Sequence, residues 1–282
     1  MRRLAGPGLR TPMIVSASRR TDIPAFFADW FLRRLSAGAV TVCNPMNPAQ
    51  QREVALTREA VDAFVFWSKN PRPFFAALDR LDAAGYPYYF QFTLNAYPTL
   101  LEPHVPALAD RLDTFRQLVE RIGPGRIVWR YDPIVLTGEL TEDWHQMQFA
   151  SLCSQLAGLT QSCVFSFYTP YRKTLRPMAR IGALQPDDDR KRDLIARLAP
   201  IAGAAGVGLE ACCSAVDWQD LPVRPAACID PIRLTRIADR PMSLKPDRSQ
   251  RPGCRCVQAV DIGRYRTCRH GCRYCYAGCA GD

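Results

Sequence analysis

The chain has 282 residues, 48% of them hydrophobic, which is enough apolar material for a sizeable core in one large domain or two small ones. Its net charge of +10 comes from scattered pairs such as Arg19-Arg20, Arg33-Arg34 and Lys191-Arg192, not from a basic tract, so a polyanionic partner is permitted but not required. Twelve cysteines are too sparse for a disulfide scaffold, no apolar run reaches the roughly 20 residues of a membrane span, and the N-terminus lacks an apolar signal region; these predict a cytoplasmic protein, without membrane association, whose clustered cysteines serve metal binding or catalysis.

In chain order, strands are predicted at residues 13–18, 39–43, 62–68, 87–94, 126–131, 163–168 and 206–212, with a last one near 257–264. Several are apolar without strict alternation, the mark of strands buried on both faces. Amphipathic helices are predicted over 24–37, 71–84, 105–122, 142–157 and 187–204. Asp22, Thr141 and Asp187 stand where N-caps belong, and Gly85 stands where a helix ends. The alternation argues for an α/β fold, a (β/α) TIM-like barrel, complete or partial. The stretch 39–56, rich in Asn and Pro, is the weak point and reads equally as a hairpin excursion. The whole chain, 1–282, reads as a single barrel domain, with the cysteine-rich segment 239–282 completing the barrel.

Polar residues follow the apolar strands: Ser18 to Asp22, Ser68-Lys69-Asn70, Asn95, Arg130-Tyr131-Asp132 and Tyr168-Thr169. In barrels of parallel strands the active site lies at these C-terminal ends. One such group reads as a turn or a cap; five tilt the reading toward a shared polar site.

The cysteines carry the strongest chemical signal. Cys268, Cys272 and Cys275 fall at C-x3-C-x2-C near the C-terminus. Three thiolates on one loop suit an iron–sulfur cluster with one iron left open; a zinc site with Cys254, Cys256 or Cys279 as fourth ligand is the competing reading. A second set, Cys213, Cys228, Cys254 and Cys256, is expected to hold a second iron–sulfur cluster or a zinc ion, against the alternative that Cys212, Cys213 and Cys228 are small buried hydrophobes.

The segment YRTCRHGCRYCYAG resembles the cluster loop of radical S-adenosylmethionine (SAM) enzymes, most closely those like spore photoproduct lyase. Further stretches resemble that family in its own order: IVSASRRTDIPAF, VFWSKNPRPFFAALDRL, FQFTLNAYPTLLEPHVPALADRLDTFRQL and VWRYDPIV. In the family the cluster loop follows the first strand, whereas here it comes last, as in a circular permutation. The same pattern is similar to a bacterial family of unknown function with this C-terminal cysteine segment. The resemblance implies a [4Fe-4S] cluster on Cys268, Cys272 and Cys275, with SAM on its open iron. It also implies reductive cleavage of SAM to a 5′-deoxyadenosyl radical that abstracts hydrogen from a substrate. It places Lys69, Arg130 and Asp132 in the catalytic site and Ser18, Asp22, Ser68, Asn70, Glu102 and Tyr274 against SAM. The family's Gly-Gly-Glu stretch is absent and Ser18 to Asp22 stands in its place; the lyase's hydrogen-donating cysteine has no counterpart.

Such chemistry needs an external one-electron donor of the flavodoxin or ferredoxin type. The substrate is left open among nucleic acid, peptide and small molecule. The reading from another class is a zinc- or cluster-binding module that contacts nucleic acid without SAM chemistry. A third is an electron-transfer protein with two clusters.

Overall fold

The structure, a computed structural model, describes residues 12–279. Its strands are β1 (Ile14–Ala17), β2 (Ala39–Asn44), β3 (Asn47–Ala55), β4 (Ala63–Ser68), β5 (Tyr88–Thr93), β6 (Ile127–Ile134), β7 (Ser162–Phe167), β8 (Gly208–Ala211), β9 (Val223–Pro225) and β10 (Val260–Asp261). The helices are α1 (Ile23–Phe26), α2 (Ala28–Ser36), α3 (Phe75–Ala83), α4 (Leu108–Ile122), α5 (Glu142–Leu156), α6 (Leu175–Arg180), α7 (Asp188–Ala204) and α8 (Pro231–Ala238). Side-chain caps hold several starts: Asp22 Oδ1 accepts from Ala25 N–H, Thr141 Oγ1 from Trp144 N–H and Asp187 Oδ1 from Arg190 N–H.

Eight strands form one parallel sheet in the order β10-β1-β4-β5-β6-β7-β8-β9. The last strand lies beside the first, with Val15 opposite Val260 and Ser16 opposite Asp261, as the permuted order predicts. The stretch 39–56 is a separate antiparallel hairpin, β2–β3, outside the sheet. Residues 47–53 of that hairpin are exposed, so no sheet face buries them. The eighth parallel strand is instead β9, too short to read from its sequence.

The sheet does not close into a complete barrel: no ladder joins β9 to β10. It does curl. One cavity touches the C-terminal ends of all eight strands, from Ser18 and Trp67 through Thr93, Arg130, Ser166, Cys212 and Ala226 to Asp261. A flat sheet of eight strands at about 4.8 Å spacing is too wide for that. The gap between the edge strands is crossed just outside them, where Val257 N–H donates to Ile229 C=O at 3.1 Å.

Alternation within each strand sorts the two faces. Phe64, Phe66, Tyr88, Phe90, Phe92, Trp129 and Phe165 pack outward under the helices in an aromatic-rich core. Ile14, Ala63, Val65, Tyr89, Val128 and Val164 face inward, where Ala226, Ile229, Leu234 and Val257 cover them. Helix α8 lies across the N-terminal ends of the strands, with Arg233 donating to Gly125 C=O and Ser162 Oγ. The interior is thus apolar and filled at the bottom. At the top it is polar, through Ser16, Gln91, Arg130 and Ser166.

Candidate active site and cysteine clusters

The cavity at the C-terminal ends holds about 520 Å³. Cys268, Cys272 and Cys275 line it together with Ser18, Asp22, Ser68, Lys69, Arg130, Asp132 and Tyr274, and so do Cys213, Cys228, Cys254 and Cys256. Residues spread over more than 250 positions of sequence meet there because every strand ends at the same level.

The loop bearing the three cysteines is laid against residues 100–104. His104 N–H donates to His270 C=O at 3.1 Å and Arg273 N–H to Leu101 C=O at 3.0 Å. Gly271 makes the close approach possible: its φ is +70°, and a Cβ there would come within 3.0 Å of the His104 ring. His270 serves packing, with its ring against Phe26 and its Nε2 at 2.9 Å from Asp22 Oδ2. Tyr276 Oη donates to Arg19 C=O at 2.7 Å, tying the loop to the end of β1.

All three thiols are pushed up in pKa by burial, Cys268 to about 12, Cys272 well above its ordinary value and Cys275 upward. Burial thus favours their neutral thiol forms, and a cation binding there would displace the protons. Cys272 is buried and Cys268 and Cys275 are half-buried; the three supply the ligand number of a cluster that leaves one iron open, although among the described residues no group of three or more such side chains is placed to hold a metal ion as it stands. Cys279 stands nearby. Its backbone bridges to Cys268, and with Cys272 and Cys275 it lines a smaller pocket of about 310 Å³.

Glu102 lies behind the wall rather than on it. Buried to 2% exposure, it accepts from Lys69 Nζ at 2.7 Å and from the Tyr274 hydroxyl, with Arg111 Nη1 at 3.8 Å from its other oxygen. Burial works against its charge, but Lys69 and Arg111 outweigh it and hold the carboxyl below the ordinary range. Glu102 therefore positions Lys69 and Tyr274, which do line the cavity. Asn70 does not line it; its N–H caps back onto Ser68 Oγ at 3.0 Å.

On β6, Arg130 and Asp132 are two apart and share the inward face. Arg130 Nη2 donates to Asp132 Oδ2 at 2.6 Å and Nη1 to Gln91 Oε1 at 3.2 Å. Ser166 donates to the other Asp132 oxygen. Across the cavity, Asp261 accepts from Ser16 Oγ, Ser18 Oγ, Arg19 N–H and Gly263 N–H at 2.6 to 2.9 Å.

Around Cys228 the arrangement departs from the expected four. The sulfur beside Cys228 is that of Cys212, at 3.4 Å, not that of Cys213. Cys213 has φ +49° and its thiol donates to Pro252 C=O at 3.2 Å. A left-handed residue directly after Cys212 turns the two consecutive side chains apart. The thiols of Cys212 and Cys256 and the Arg130 guanidinium hold Cys228 well below its ordinary pKa despite its burial.

Sequence reasoning missed Asp261 and Cys212. A lone carboxylate inside the apolar run AVDIG was the available signal for Asp261. Nothing in the sequence chooses between the adjacent Cys212 and Cys213. No curated protein and no solved structure matches the chain significantly. A family model described as "Domain of unknown function (DUF1848)" matches residues 14–277, nearly the whole length, and the protein belongs to that family.

Proposed function

We propose that this protein is a radical SAM enzyme built on a permuted, partly closed (β/α) barrel. One observation carries the reading: Cys268, Cys272 and Cys275 line the same cavity as Ser18, Asp22, Ser68, Lys69, Arg130, Asp132 and Tyr274. When bound at the three thiolates, a [4Fe-4S] cluster with SAM supplies one-electron reductive cleavage of the sulfonium, giving methionine and a 5′-deoxyadenosyl radical for hydrogen abstraction.

The chain's own residues do the rest. Lys69, held by Glu102 at 2.7 Å, presents a fixed ammonium suited to a carboxylate such as that of a bound amino acid. The backbone from Ser18 to Asp22 lies beside it, with Asp22 Oδ2 accepting from Lys69 N–H at 2.8 Å and Asp261 anchoring Ser18 and Arg19, and stands in for the family's amino-group stretch. Tyr274 offers an aromatic face on the same wall. Arg130 and Asp132 form a charged pair on the cavity wall, suited to holding a polar substrate group. The apolar lower half of the interior keeps water out of the closed end. Electrons come from an external one-electron carrier of the flavodoxin or ferredoxin type.

The test is anaerobic reconstitution with iron and sulfide, followed by reduction with SAM present. About four irons per chain and formation of 5′-deoxyadenosine are expected, with both lost in Cys268→Ala, Cys272→Ala and Cys275→Ala. Stoichiometric zinc with no iron and no 5′-deoxyadenosine supports the metal-binding, nucleic-acid-contacting module instead.

A further inference from the structure

The row of sulfurs around Cys228 has no part in the chemistry proposed above. Cys212 follows β8, Cys228 follows β9, and Cys254 and Cys256 precede β10. The four come from three segments that meet where the sheet fails to close. Cys212 Sγ lies 3.4 Å from Cys228 Sγ, and the thiols of Cys228, Cys256 and Cys254 are hydrogen-bonded in sequence. We propose that Cys212, Cys228, Cys254 and Cys256 form a tetrathiolate site for a single divalent ion of the zinc type, which clasps the two edges of the sheet together.

Spacing decides between one ion and a cluster. Ligand sulfurs around one zinc at about 2.3 Å stand roughly 3.8 Å apart along a tetrahedral edge. The 3.4 Å contact is close to that edge. In a four-iron cluster each ligand binds a different iron, and the sulfurs stand farther apart.

The donors around the sulfurs point the same way. Arg130 Nη1 donates to Cys228 Sγ at 2.9 Å, and Ile229 N–H lies 3.4 Å from Cys256 Sγ. The backbone N–H of Cys256 bonds Cys254. Three of the four sulfurs thus receive N–H bonds, which favour thiolate over thiol and are the outer support that metal thiolates use. Cys228 is also held in place through its carbonyl, which accepts from Tyr89 Oη at 2.6 Å and Gln91 Nε2 at 2.9 Å. Such fixing of a small, buried side chain exceeds what packing alone calls for.

The thiols stand as an open row: among the described residues no group of three or more Cys, His, Asp or Glu side chains is placed to hold a metal ion as it stands, so the sulfurs must turn toward a common centre to bind one. Protonated thiols chain through S–H···S contacts instead. Binding forms four metal–sulfur bonds and releases only the protons that the sulfurs still carry, and Cys212 and Cys254, both half-buried, have the freedom to turn inward. The resulting net charge of −2 faces the Arg130 guanidinium.

The proposal stands apart from the SAM reading, since it involves none of Cys268, Cys272 and Cys275. Its test uses the full chain with those three replaced by alanine, and the wild-type chain beside it, both incubated with zinc and analysed by elemental mass spectrometry. About one zinc per chain is expected in each, lost in Cys212→Ser and kept in Cys213→Ser. Wild-type protein loaded with cobalt is expected to show intense tetrahedral bands with thiolate charge transfer. Alkylation mapping of that sample, which needs no variant, is expected to find Cys212, Cys228, Cys254 and Cys256 protected and Cys213 modified. The proposal is overturned by absence of zinc and cobalt binding, by protection of Cys213 instead of Cys212, or by several irons retained in the triple variant.

Discussion

Asp261 accepts a 2.6 Å hydrogen bond from Ser18 Oγ, joining the last strand to the end of the first across 243 positions. The same carboxylate takes the Ser16 hydroxyl and the N–H groups of Arg19 and Gly263. Asp261→Ala leaves these buried donors unpaired. A loss of roughly 2–4 kcal/mol is expected in denaturant unfolding, with a smaller loss for Asp261→Asn, which keeps one acceptor. An Asp261→Ala protein as stable as wild type would show that the two strands are held by other means.

Gly263 lies where β10 runs closest to β1. A Cβ there would come within 2.6 Å of Ser18 Cβ, so Gly263→Ala forces the strands apart. A cost of about 1–3 kcal/mol is expected and, on the proposed radical SAM reading, weaker SAM binding by calorimetry, because Ser18 moves. Unchanged stability and binding would contradict the close approach.

Glu102→Gln removes the buried counter-charge of Lys69 and Arg111. The expected cost is roughly 3 kcal/mol, as for other broken buried pairs. The carboxyl is held below its unfolded pKa. Its stabilisation is therefore complete above the ordinary carboxylate range and lost as pH falls below it. Unfolding measured between neutral and acidic pH should show this slope in the wild type and a shallower one in the variant.

His145 gives the opposite chemical case with the same sign. It is fully buried between the Tyr131 hydroxyl at 2.7 Å and the Val135 carbonyl at 2.9 Å, and burial lowers its pKa to about 4. The unfolded chain takes up a proton near pH 6.5, while the folded one stays neutral until about 4. Stability is expected to fall by about 3 kcal/mol as pH drops through that window. His145→Gln should flatten the dependence; a persisting slope would place its origin elsewhere.

Cys279 separates the two readings of the C-terminal loop. With three ligands from Cys268, Cys272 and Cys275, Cys279→Ala should keep its iron and its SAM cleavage within about twofold, the range of a change that touches no reacting group. Loss of metal in Cys279→Ala, as large as in Cys272→Ala, would indicate a four-cysteine site.

Much of the architecture was legible along the chain. Strand runs such as AFVFWS and YYFQFT carry apolar residues at successive positions because both sheet faces are buried, so composition alone marks them. Asp22, Thr141 and Asp187 announce helix starts through local hydrogen bonds to residues three positions on. The polar groups ending those strands were visible for the same local reason, and so was the cysteine spacing of the last loop.

Other features depended on three-dimensional closeness, which no local pattern encodes. That Glu102 stands behind Lys69 and Tyr274, and not on the cavity wall, follows from how residues 100–104 pack under the cysteine loop. Strand β9, three residues long, exists only because β8 offers it a ladder. Whether the sheet closes is set by the geometry at its edges, where β9 and β10 do not pair with each other. Which of Cys212 and Cys213 lies beside Cys228 rests on a single left-handed residue. Sequence by itself determined most of the sheet strands, the helix caps and the reactive residue types, since each is governed by neighbours in the chain. The tertiary structure alone decided which thiols and charges face one another, because those contacts join segments as distant as Ser18 and Asp261.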